Sequence, residues 1–282
     1  MEIRHATHPR DFAAYGPDRV REQFLVQSLF RDGEITTVYT HHDRMVIGGA
    51  VPTPGAPLTL DAPDPLRAEY FCQRRELAVV GISGSAEVTV DGTTYPVGPR
   101  DILYVGRGAR DITFAAGPAG SATDGAAPVL YLVSAPAHAE YPTALVPVGE
   151  SLTTEAGDQA HGNLRTVHKH IHLDGVRSCQ LVVGITAPQD GNVWNSMPCH
   201  LHDRRTEIYL YFDLPATERV IHVMGEPQAT RSLVVADREA VISPSWSVHF
   251  GSGSTNYAFV WAMAGENQEF TDMDQIAVAD LR

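Results

Sequence analysis

Three histidines and one glutamate in this chain have residue types and spacing that suit a metal site. His200 and His202 lie two residues apart in a segment that favours a strand, Glu207 begins the next predicted strand, and His249 follows a later proline-containing turn. Because residues two apart on a strand share a face, both histidines should meet Glu207 across a hairpin. Nitrogen donors with one carboxylate suit Zn²⁺, Fe²⁺, Mn²⁺, Co²⁺ or Ni²⁺ and leave positions open for a substrate. The set predicts a reaction centre.

Other reactive side chains lie in less specific patterns. His168, His170 and His172 alternate along a predicted strand without a carboxylate partner in sequence, and we interpret them as a solvated strand face. Lys169 is the only lysine of the chain and could form a Schiff base, although the residues around it do not favour that role. Cys199 should face away from its neighbouring histidines, so a nucleophilic role would lack a pairing base.

Charge and composition exclude several classes of partner. The chain has 282 residues, a net charge of −13 and a pI of about 5.4. A nucleic-acid-binding protein needs a cationic face, and no run rich in lysine or arginine occurs here. A negative surface also disfavours anionic membranes, whereas a small anionic substrate remains compatible if a few arginines line its pocket. Three widely spaced cysteines, with no apolar leader and no membrane-length apolar run, predict a soluble cytoplasmic protein.

Strand signals dominate the sequence. Short β-branched or aromatic runs bounded by turns predict strands, and Asp91-Gly92 predicts a tight hairpin. Helical periodicity is confined to residues 19–29 and to the tail at 274–281, and residues 115–127 predict a surface loop. This pattern predicts an all-β sandwich or barrel. The strand segments are 36–40, 86–90, 128–133 and 257–261.

The two halves of the chain resemble each other, which indicates a duplicated β unit. Each half has an arginine pair that leads into strands, a glycine turn and then a strand with its own turn. When the halves are aligned, Asp111 falls at the position of His249, and Glu69 and Phe71 fall near His200 and His202. The first half therefore keeps the scaffold without the ligands. We expect one domain over residues 1–150 and a metal-binding domain over 151–282.

The ligand pattern His-x-His-x4-Glu, followed by Pro-x4-His, resembles the cupin superfamily. Longer strings resemble one family within it, the 5-dehydro-4-deoxy-D-glucuronate isomerases, also called 4-deoxy-L-threo-5-hexosulose-uronate ketol-isomerases, of pectin and uronate breakdown. The resemblance extends over the whole chain. The strings that carry it are residues 21–25, 74–77, 194–200, 204–207, 243–249 and 265–268.

The resemblance implies a duplicated cupin, or jelly-roll, fold with one Zn²⁺ per chain and assembly as a homohexamer. It implies that the Zn²⁺ ligands are His200, His202, Glu207 and His249, with other divalent metals as possible alternatives. The implied reaction converts 5-dehydro-4-deoxy-D-glucuronate into 3-deoxy-D-glycero-2,5-hexodiulosonate. A metal would stabilise the enediol oxygens, and a base would carry the proton between two carbons.

Several residues could serve this reaction. The base could be a metal-bound hydroxide, Glu207, Tyr209 or Tyr211, and of these we expect Glu207 and Tyr209 to be catalytic. Arginines bind carboxylates through paired donors, so Arg204 and Arg205 could hold the anionic ketouronate. Tyr211 and Trp246 are further candidate substrate contacts, although Trp246 could equally pack against the barrel wall. Arg74 and Arg75 are additional candidates for the carboxylate.

Two other functions fit the same ligands. The 5-deoxy-glucuronate isomerase of inositol catabolism shares the cupin site, but its hairpin region differs from residues 203–207 of this chain. A cupin dioxygenase would hold Fe²⁺ on the same four residues. A storage or sugar-binding protein without catalysis is disfavoured, because such proteins need no complete ligand set.

Overall fold

The computed structural model describes residues 1–118 and 126–282. Its strands, in chain order, are β1 (Glu2–Arg4), β2 (Leu25–Val26), β3 (Ile35–Thr40), β4 (Val46–Ala50), β5 (Leu58–Thr59), β6 (Arg75–Ser83), β7 (Ala86–Val90), β8 (Thr93–Val97), β9 (Ile102–Val105), β10 (Ile112–Ala116), β11 (Val129–Pro136), β12 (Ala144–Val146), β13 (Leu152–Ala156), β14 (Arg165–Ile171), β15 (Val182–Pro188), β16 (Trp194–Asn195), β17 (His200–Leu201), β18 (Arg205–Phe212), β19 (Val220–Gly225), β20 (Arg231–Val235), β21 (Ala240–Ser243), β22 (Val248–Gly253), β23 (Ala258–Gly265) and β24 (Asp274–Gln275). The helices are α1 (Pro9–Phe12) and α2 (Pro17–Phe24), with short 3-10 helices at Asp64–Leu66, Phe71–Gln73, Val148–Glu150, Gln159–His161 and Val278–Asp280. No helix among these residues is long and apolar enough to cross a membrane.

The strands form two copies of one arrangement. In the first copy, a seven-stranded sheet has the order β1-β3-β4-β11-β6-β9-β12 and a four-stranded sheet has the order β5-β10-β7-β8. In the second copy, the corresponding orders are β13-β14-β15-β23-β18-β21-β2 and β16-β22-β19-β20. Each strand of one copy therefore has a counterpart in the other, which confirms the predicted all-β fold and its internal duplication.

Strand pairing shows which residue replaces the glutamate in the first copy. Leu77, the third residue of β6, pairs with Val105 at the end of β9. Glu207, the third residue of β18, likewise pairs with Ser243 at the end of β21. Leu77 is fully buried in an apolar cluster, so the first copy has a hydrocarbon side chain where the second has a carboxylate.

The same comparison corrects one sequence alignment. In the second copy, His249 on β22 pairs with Met224, the last residue of β19 that also pairs with β20. In the first copy, Ile112 on β10 pairs with Val90, the last residue of β7 before its hairpin turn. The counterpart of His249 is therefore Ile112, one residue after the predicted Asp111. Ile112 belongs to the same buried apolar cluster as Leu77, because its side chain points into the sandwich.

Local predictions had mixed outcomes. The Asp91-Gly92 hairpin is confirmed, with positive φ at both residues (45° and 82°) and with Val90 paired to Thr93. The four strands predicted at 36–40, 86–90, 128–133 and 257–261 are confirmed as β3, β7, β11 and β23, within one residue at their starts. Of the predicted surface loop at 115–127, residues 115–116 end β10, and residues 119–125 lie outside the described residues.

The two predicted helices differ from the structure for a shared reason. The first helix stops at Phe24, because Leu25 and Val26 pair with β21 as an edge strand. The tail at 274–281 is not an α-helix: Asp274–Gln275 pairs with β17, and a 3-10 helix follows at Val278–Asp280. In both places a backbone ladder with a distant strand outweighs local helical preference.

The chain divides into two compact units that interleave in sequence. One unit comprises Met1–Arg4, Ser28–Leu152 and His170–Val182, and the other comprises His5–Gln27, Thr153–Lys169 and Val183–Arg282. The predicted boundary near residue 150 lies close to the end of the long segment of the first unit. The short exchanged segments, residues 5–27 and 170–182, had no signal in the sequence.

A buried carboxylate fastens one of these segments within the first unit. Glu76 on β6 is fully buried and accepts hydrogen bonds from four donors. These are the Tyr104 hydroxyl at 2.7 Å and the backbone N–H groups of Cys179, Gln180 and Leu181 at 2.7, 2.7 and 2.8 Å. A buried carboxylate is stable only with such partners, so Glu76 ties residues 179–181 to β6 and β9.

Replacing Glu76 by glutamine is expected to lower the free energy of unfolding by about 2–4 kcal/mol, because the amide nitrogen would face N–H donors and accept from none. Urea denaturation followed by circular dichroism measures this. Glu87→Gln, at a half-exposed position on β7, is the matched control and should leave the midpoint unchanged. An unaltered midpoint in Glu76→Gln would show that the four hydrogen bonds contribute no net stability.

Candidate metal centre and reaction cavity

The four predicted ligands converge in the second unit. One donor atom from each of His200, His202, Glu207 and His249 lies within 4.8 Å of the other three. Glu207 Oε2 is 2.7 Å from His249 Nε2 and 3.0 Å from His202 Nε2, and the Nε2 atoms of His249 and His200 are 3.3 Å apart. Among the described residues this is the one cluster of histidine, cysteine or acidic groups with such geometry.

Separate ladders place these side chains. Glu207 lies on β18 between β21 and β23, and His249 lies on β22 beside β19. The prediction that His200 and His202 form a hairpin with the strand of Glu207 is wrong. His200 and Leu201 form β17, which pairs with Gln275 and Asp274 of β24. The chain from His202 to Arg205 then turns, so the ligands converge without a shared ladder.

The second ring nitrogen of each inner histidine controls the tautomer. His249 Nδ1 lies 3.3 Å from the Ser247 carbonyl oxygen, and an Nδ1–H donor there leaves Nε2 free to act as a ligand. His202 Nδ1 lies 3.4 Å from the Asp272 carbonyl oxygen and 3.1 Å from Nη2 of Arg205. A carbonyl oxygen only accepts, so the Asp272 contact corresponds to the tautomer whose Nε2 can bind a metal. A guanidinium only donates, so the Arg205 contact corresponds to the other tautomer, in which Nε2 carries the proton.

Burial and mutual charge determine the pKa values of the cluster. Burial raises the pKa of Glu207, but the neighbouring His249 and His202 outweigh that effect and hold it well below its usual range. Burial, reinforced by His249, lowers the pKa of His200 to about 3. A deprotonated carboxylate and a neutral imidazole are the forms that bind a metal ion.

The donor set fits a divalent transition metal. Ligand atoms about 2.0–2.2 Å from one ion would lie roughly 3.3–3.6 Å apart in a tetrahedron. The His200–His249 separation of 3.3 Å matches this, whereas the 2.7 and 3.0 Å contacts of Glu207 are shorter. Three imidazoles and one carboxylate suit Zn²⁺ and its neighbours in the first transition row. Glu207 and the two inner histidines are at most 4% exposed, so water contributes little to their solvation.

The cluster faces a cavity of about 330 Å³, a volume typical of small-molecule sites. Tyr209 is on its wall, and its hydroxyl is 2.6 Å from the Ser196 hydroxyl, also on the wall. Burial and the nearby charge of Glu207 raise the pKa of Tyr209 well above its usual value. Described residues that line the cavity are Thr154, Arg165, Val167, Lys169, Thr186, Ser196, Pro198, His200, His202, Glu207, Tyr209, Phe259, Trp261, Met263, Phe270, Met273 and Gln275.

Tyr211 does not belong to this lining of described residues. Its side chain is fully buried, and its hydroxyl is 2.8 Å from His222 Nδ1 and 3.4 Å from the Asn195 amide nitrogen. Asn195 also donates to the Tyr257 hydroxyl at 2.7 Å. Tyr211 therefore supports the wall behind Tyr209, and its contact with the substrate stays a prediction.

Arg204 and Arg205 have protein partners in place of a substrate. Arg204 pairs with Asp272 and, at 3.2 Å, with Asp274. Arg205 is fully buried, with Nη2 near His202 and Nε 4.0 Å from Asp272. Neither is among the described residues of the cavity wall, and their contact with the substrate stays a prediction.

Trp246 and the first-half arginines also lie elsewhere. Trp246 packs against Phe12 of α1 and Phe24 of α2, with ring centroids 5.2 and 6.4 Å apart, which agrees with its alternative interpretation as a packing residue and not with a substrate contact. Arg75 is buried in the first unit, where Nε donates to the Ser134 hydroxyl at 3.0 Å. These placements follow from packing with segments far away in sequence.

The cavity also contains cations that the sequence reasoning did not select. Arg165 and Lys169 line it from β14, on the face opposite to His168. The interpretation of His168, His170 and His172 as a solvated face is wrong, since His170 and His172 are 1% and 4% exposed. The available signal was the period of two along the strand, which places Arg165 and Lys169 on one face, opposite to His168.

Comparison with known proteins agrees with this geometry. A family model described as the KduI/IolB family matches residues 24–280. The chain belongs to the KduI/IolB family. Two relatives in it are called 4-deoxy-L-threo-5-hexosulose-uronate ketol-isomerase. The one from Shouchella clausii (strain KSM-K16) is 52% identical and the one from Halalkalibacterium halodurans is 50% identical, each over 283 residues and 100% of both chains.

A solved structure supports the fold of this family member. The IolB-like protein from Salmonella typhimurium LT2 matches with a TM-score of 0.71 over 90% of this chain and 96% of its own, at 17% identity. At that identity the likeness shows the fold alone. The predicted all-β, cupin-like fold class is confirmed.

Replacing His249 by alanine is expected to abolish stoichiometric metal binding, because it removes one of four donors from a buried set and leaves Glu207 without its nearest imidazole. Elemental analysis of the purified variant measures the metal content, and circular dichroism checks the fold. His138→Ala, an exposed histidine in the first unit, is the matched control. Full metal occupancy in folded His249→Ala would remove His249 from the ligand set.

Proposed function

We propose that this chain is a metal-dependent ketol-isomerase that converts 5-dehydro-4-deoxy-D-glucuronate into 3-deoxy-D-glycero-2,5-hexodiulosonate. The observation that carries the proposal is the cluster of three histidines and one glutamate, of which His200, His202 and Glu207 line the cavity. Full-length relatives called ketol-isomerases, about half identical to this chain, support the same reaction and confirm the prediction from sequence.

The reaction moves one proton between carbons and one between oxygens. The C2 proton leaves, a cis-enediol forms, and a proton returns at C1, while the O2 hydroxyl proton passes to O1; no electron acceptor is needed. We propose His200, His202, Glu207 and His249 as the metal ligands and Zn²⁺ as the ion. A divalent metal at this site would act as a Lewis acid on the carbonyl and hydroxyl oxygens of the substrate.

The proton-transfer groups are proposed from the cavity wall. Of the predicted side chains, Glu207 and Tyr209 lie in the cavity and Tyr211 does not, so we keep the first two. The raised pKa of Tyr209 keeps its hydroxyl protonated, which suits a donor to the substrate oxygens better than a base. Ser196, hydrogen-bonded to Tyr209, is positioned to exchange that proton.

The backbone supports the position of Ser196. Its φ of 49° is uncommon for a residue with a side chain, and the surrounding structure must impose it. Ser196 is mostly buried and has Tyr209 as a partner, so the turn directs its hydroxyl to the cavity wall. We propose that the hydroxyl groups of Ser196 and Tyr209 carry the proton that passes between O2 and O1 of the substrate.

The alternative functions have less support. The IolB-like structure is 17% identical to this chain and shows the fold alone, so it does not favour the inositol-catabolism isomerase over the ketol-isomerase. A dioxygenase could use the same ligands, but the half-identical relatives are called ketol-isomerases, which favours isomerisation. The homohexamer and the cytoplasmic location stay predictions from the resemblance and the composition.

The first test is an assay of the purified protein with the ketouronate. Isomerase activity is expected, with loss after chelation, return on adding Zn²⁺ and no oxygen consumption, because isomerisation has no net redox change. Product formation is followed by chromatography and oxygen with an electrode. Oxygen uptake coupled to turnover would favour the dioxygenase, and absence of product from metal-loaded protein would contradict the isomerase.

Tyr209→Phe tests the proton-transfer proposal. Removing the hydroxyl is expected to lower kcat by about 10²–10⁴-fold while the metal content is unchanged, because the ring stays and only the donor is lost. Tyr131→Phe is the matched control, since that buried hydroxyl has no hydrogen-bond partner among the described residues. A kcat within a few-fold of the wild type in Tyr209→Phe would assign the proton transfer to another group.

A further inference from the structure

We infer that Lys169 binds the carboxylate of the substrate from the β14 wall of the cavity. The inference rests on the proposed function for the identity of the substrate. Its structural basis is an ammonium group on the cavity wall that has no ion-pair partner among the described residues. Lys169 is also the only lysine of a chain in which 34 acidic residues outnumber 21 basic ones.

Strand alternation determines where Lys169 lies. Arg165, Val167 and Lys169 line the cavity from β14, whereas His168 on the opposite face approaches the Thr153 hydroxyl through Nδ1 at 3.2 Å. Side chains four residues apart on a strand have Cα atoms roughly 13 Å apart. The two cations are therefore attached to β14 at well-separated points along one wall.

The ammonium group of Lys169 has no carboxylate partner among the residues that the structure describes. Among the described residues it takes part in no ion pair and lies 4.8 Å from the centre of the Phe270 ring. Glu207 is the one carboxylate among the described lining residues, and it is occupied by His202 and His249. A half-buried cation is stabilised when an anion enters, so the cavity favours a negatively charged ligand.

The other cations of the region have hydrogen-bond or ion-pair partners within the protein. Arg165 shares the cavity wall with Lys169, and its Nη1 donates to the Asn163 carbonyl oxygen at 2.8 Å. Arg204 is paired with Asp272 and Asp274, away from the cavity lining. Lys169 is thus the cation of the described cavity wall that has neither an ion pair nor a hydrogen bond to another described residue, and it is available to the carboxylate of a six-carbon acid.

The aromatic neighbour adds selectivity for a compact anion. Phe270 lies beneath the ammonium, and Trp261 packs edge-on against Phe270 with centroids 6.0 Å apart. These rings cover one side of the cation with apolar surface, leaving its other donors to the cavity. The lysine ammonium acts on an anion as a compact point charge, whereas an arginine guanidinium would offer two N–H donors in one plane.

Lys169→Met is the decisive variant. For the ketouronate, KM is expected to rise by about 10- to 100-fold with kcat changed by less than about 3-fold, because a remote charge contact is made equally in the ground and transition states. For the analogue with a primary alcohol in place of the carboxylate, KM should be the same in wild type and variant. Lys169→Arg should recover most of the affinity for the ketouronate. Arg31→Met, an exposed cation of the first unit, should change neither KM.

A second measurement does not need turnover. Acetylation of the wild-type protein with an amine-specific reagent modifies Lys169 and the N-terminus, and peptide mass spectrometry reads each separately. The ketouronate is expected to protect Lys169, and the alcohol analogue is expected not to. An unchanged KM in Lys169→Met, equal losses for acid and alcohol, or an absence of protection by the ketouronate would each overturn the inference.

The two proposals fail in different ways. If the wild type isomerises the ketouronate but Lys169 is neither protected nor needed for its KM, the carboxylate assignment falls and the isomerase stands. If the ketouronate protects Lys169 but no product forms with metal-loaded protein, the isomerase proposal falls and the carboxylate site stands.

Discussion

The second unit depends on how a charged glutamate is kept inside a β barrel. Glu207 is 4% exposed and has two imidazoles within 3.0 Å of one carboxylate oxygen. A buried carboxylate without partners would be strongly destabilising, so the positions of His202 and His249 are part of the fold as well as of the chemistry. These contacts bring side chains from β18, from β22 and from the turn after β17 together at the carboxylate of Glu207. Arg205, Ser247 and Asp272 then act on the outer nitrogens of those histidines.

The first unit shows what the same strand order does without that constraint. Leu77 and Ile112 occupy the positions of Glu207 and His249, and both are buried in an apolar cluster. Apolar side chains at these positions need no hydrogen-bond partners, so the sandwich can close on a dry core. In the first unit the buried carboxylate is Glu76, one residue before Leu77. Its four hydrogen-bond donors belong to the protein, and three of them are backbone N–H groups of residues 179–181.

The chain as a whole carries a negative net charge, whereas the cavity lining is locally positive. The protein carries a net charge of −13, yet Arg165 and Lys169 face the cavity and the one carboxylate of its described lining is Glu207. A negative exterior around a locally positive pocket favours a small anion over a polyanion, because only the small ligand escapes the general repulsion. The locally positive cavity in a negative protein therefore favours a uronate over nucleic acid or an anionic membrane, and it does so more directly than the composition alone.

The sequence by itself determined the parts that depend on local spacing. The period of two along a strand and the turn residues placed His200, His202, Glu207 and His249 in one set, and they predicted the β class and the Asp91-Gly92 hairpin. Only the tertiary structure decided that β17 pairs with β24, that Leu25 leaves its helix for a sheet edge, and that residues 5–27 and 170–182 change units. It also decided that Tyr211 and Arg205 lie behind the cavity while Lys169 lies in it. Pairing between distant strands and burial by distant segments set these features, and neither leaves a periodic signal in the residues concerned.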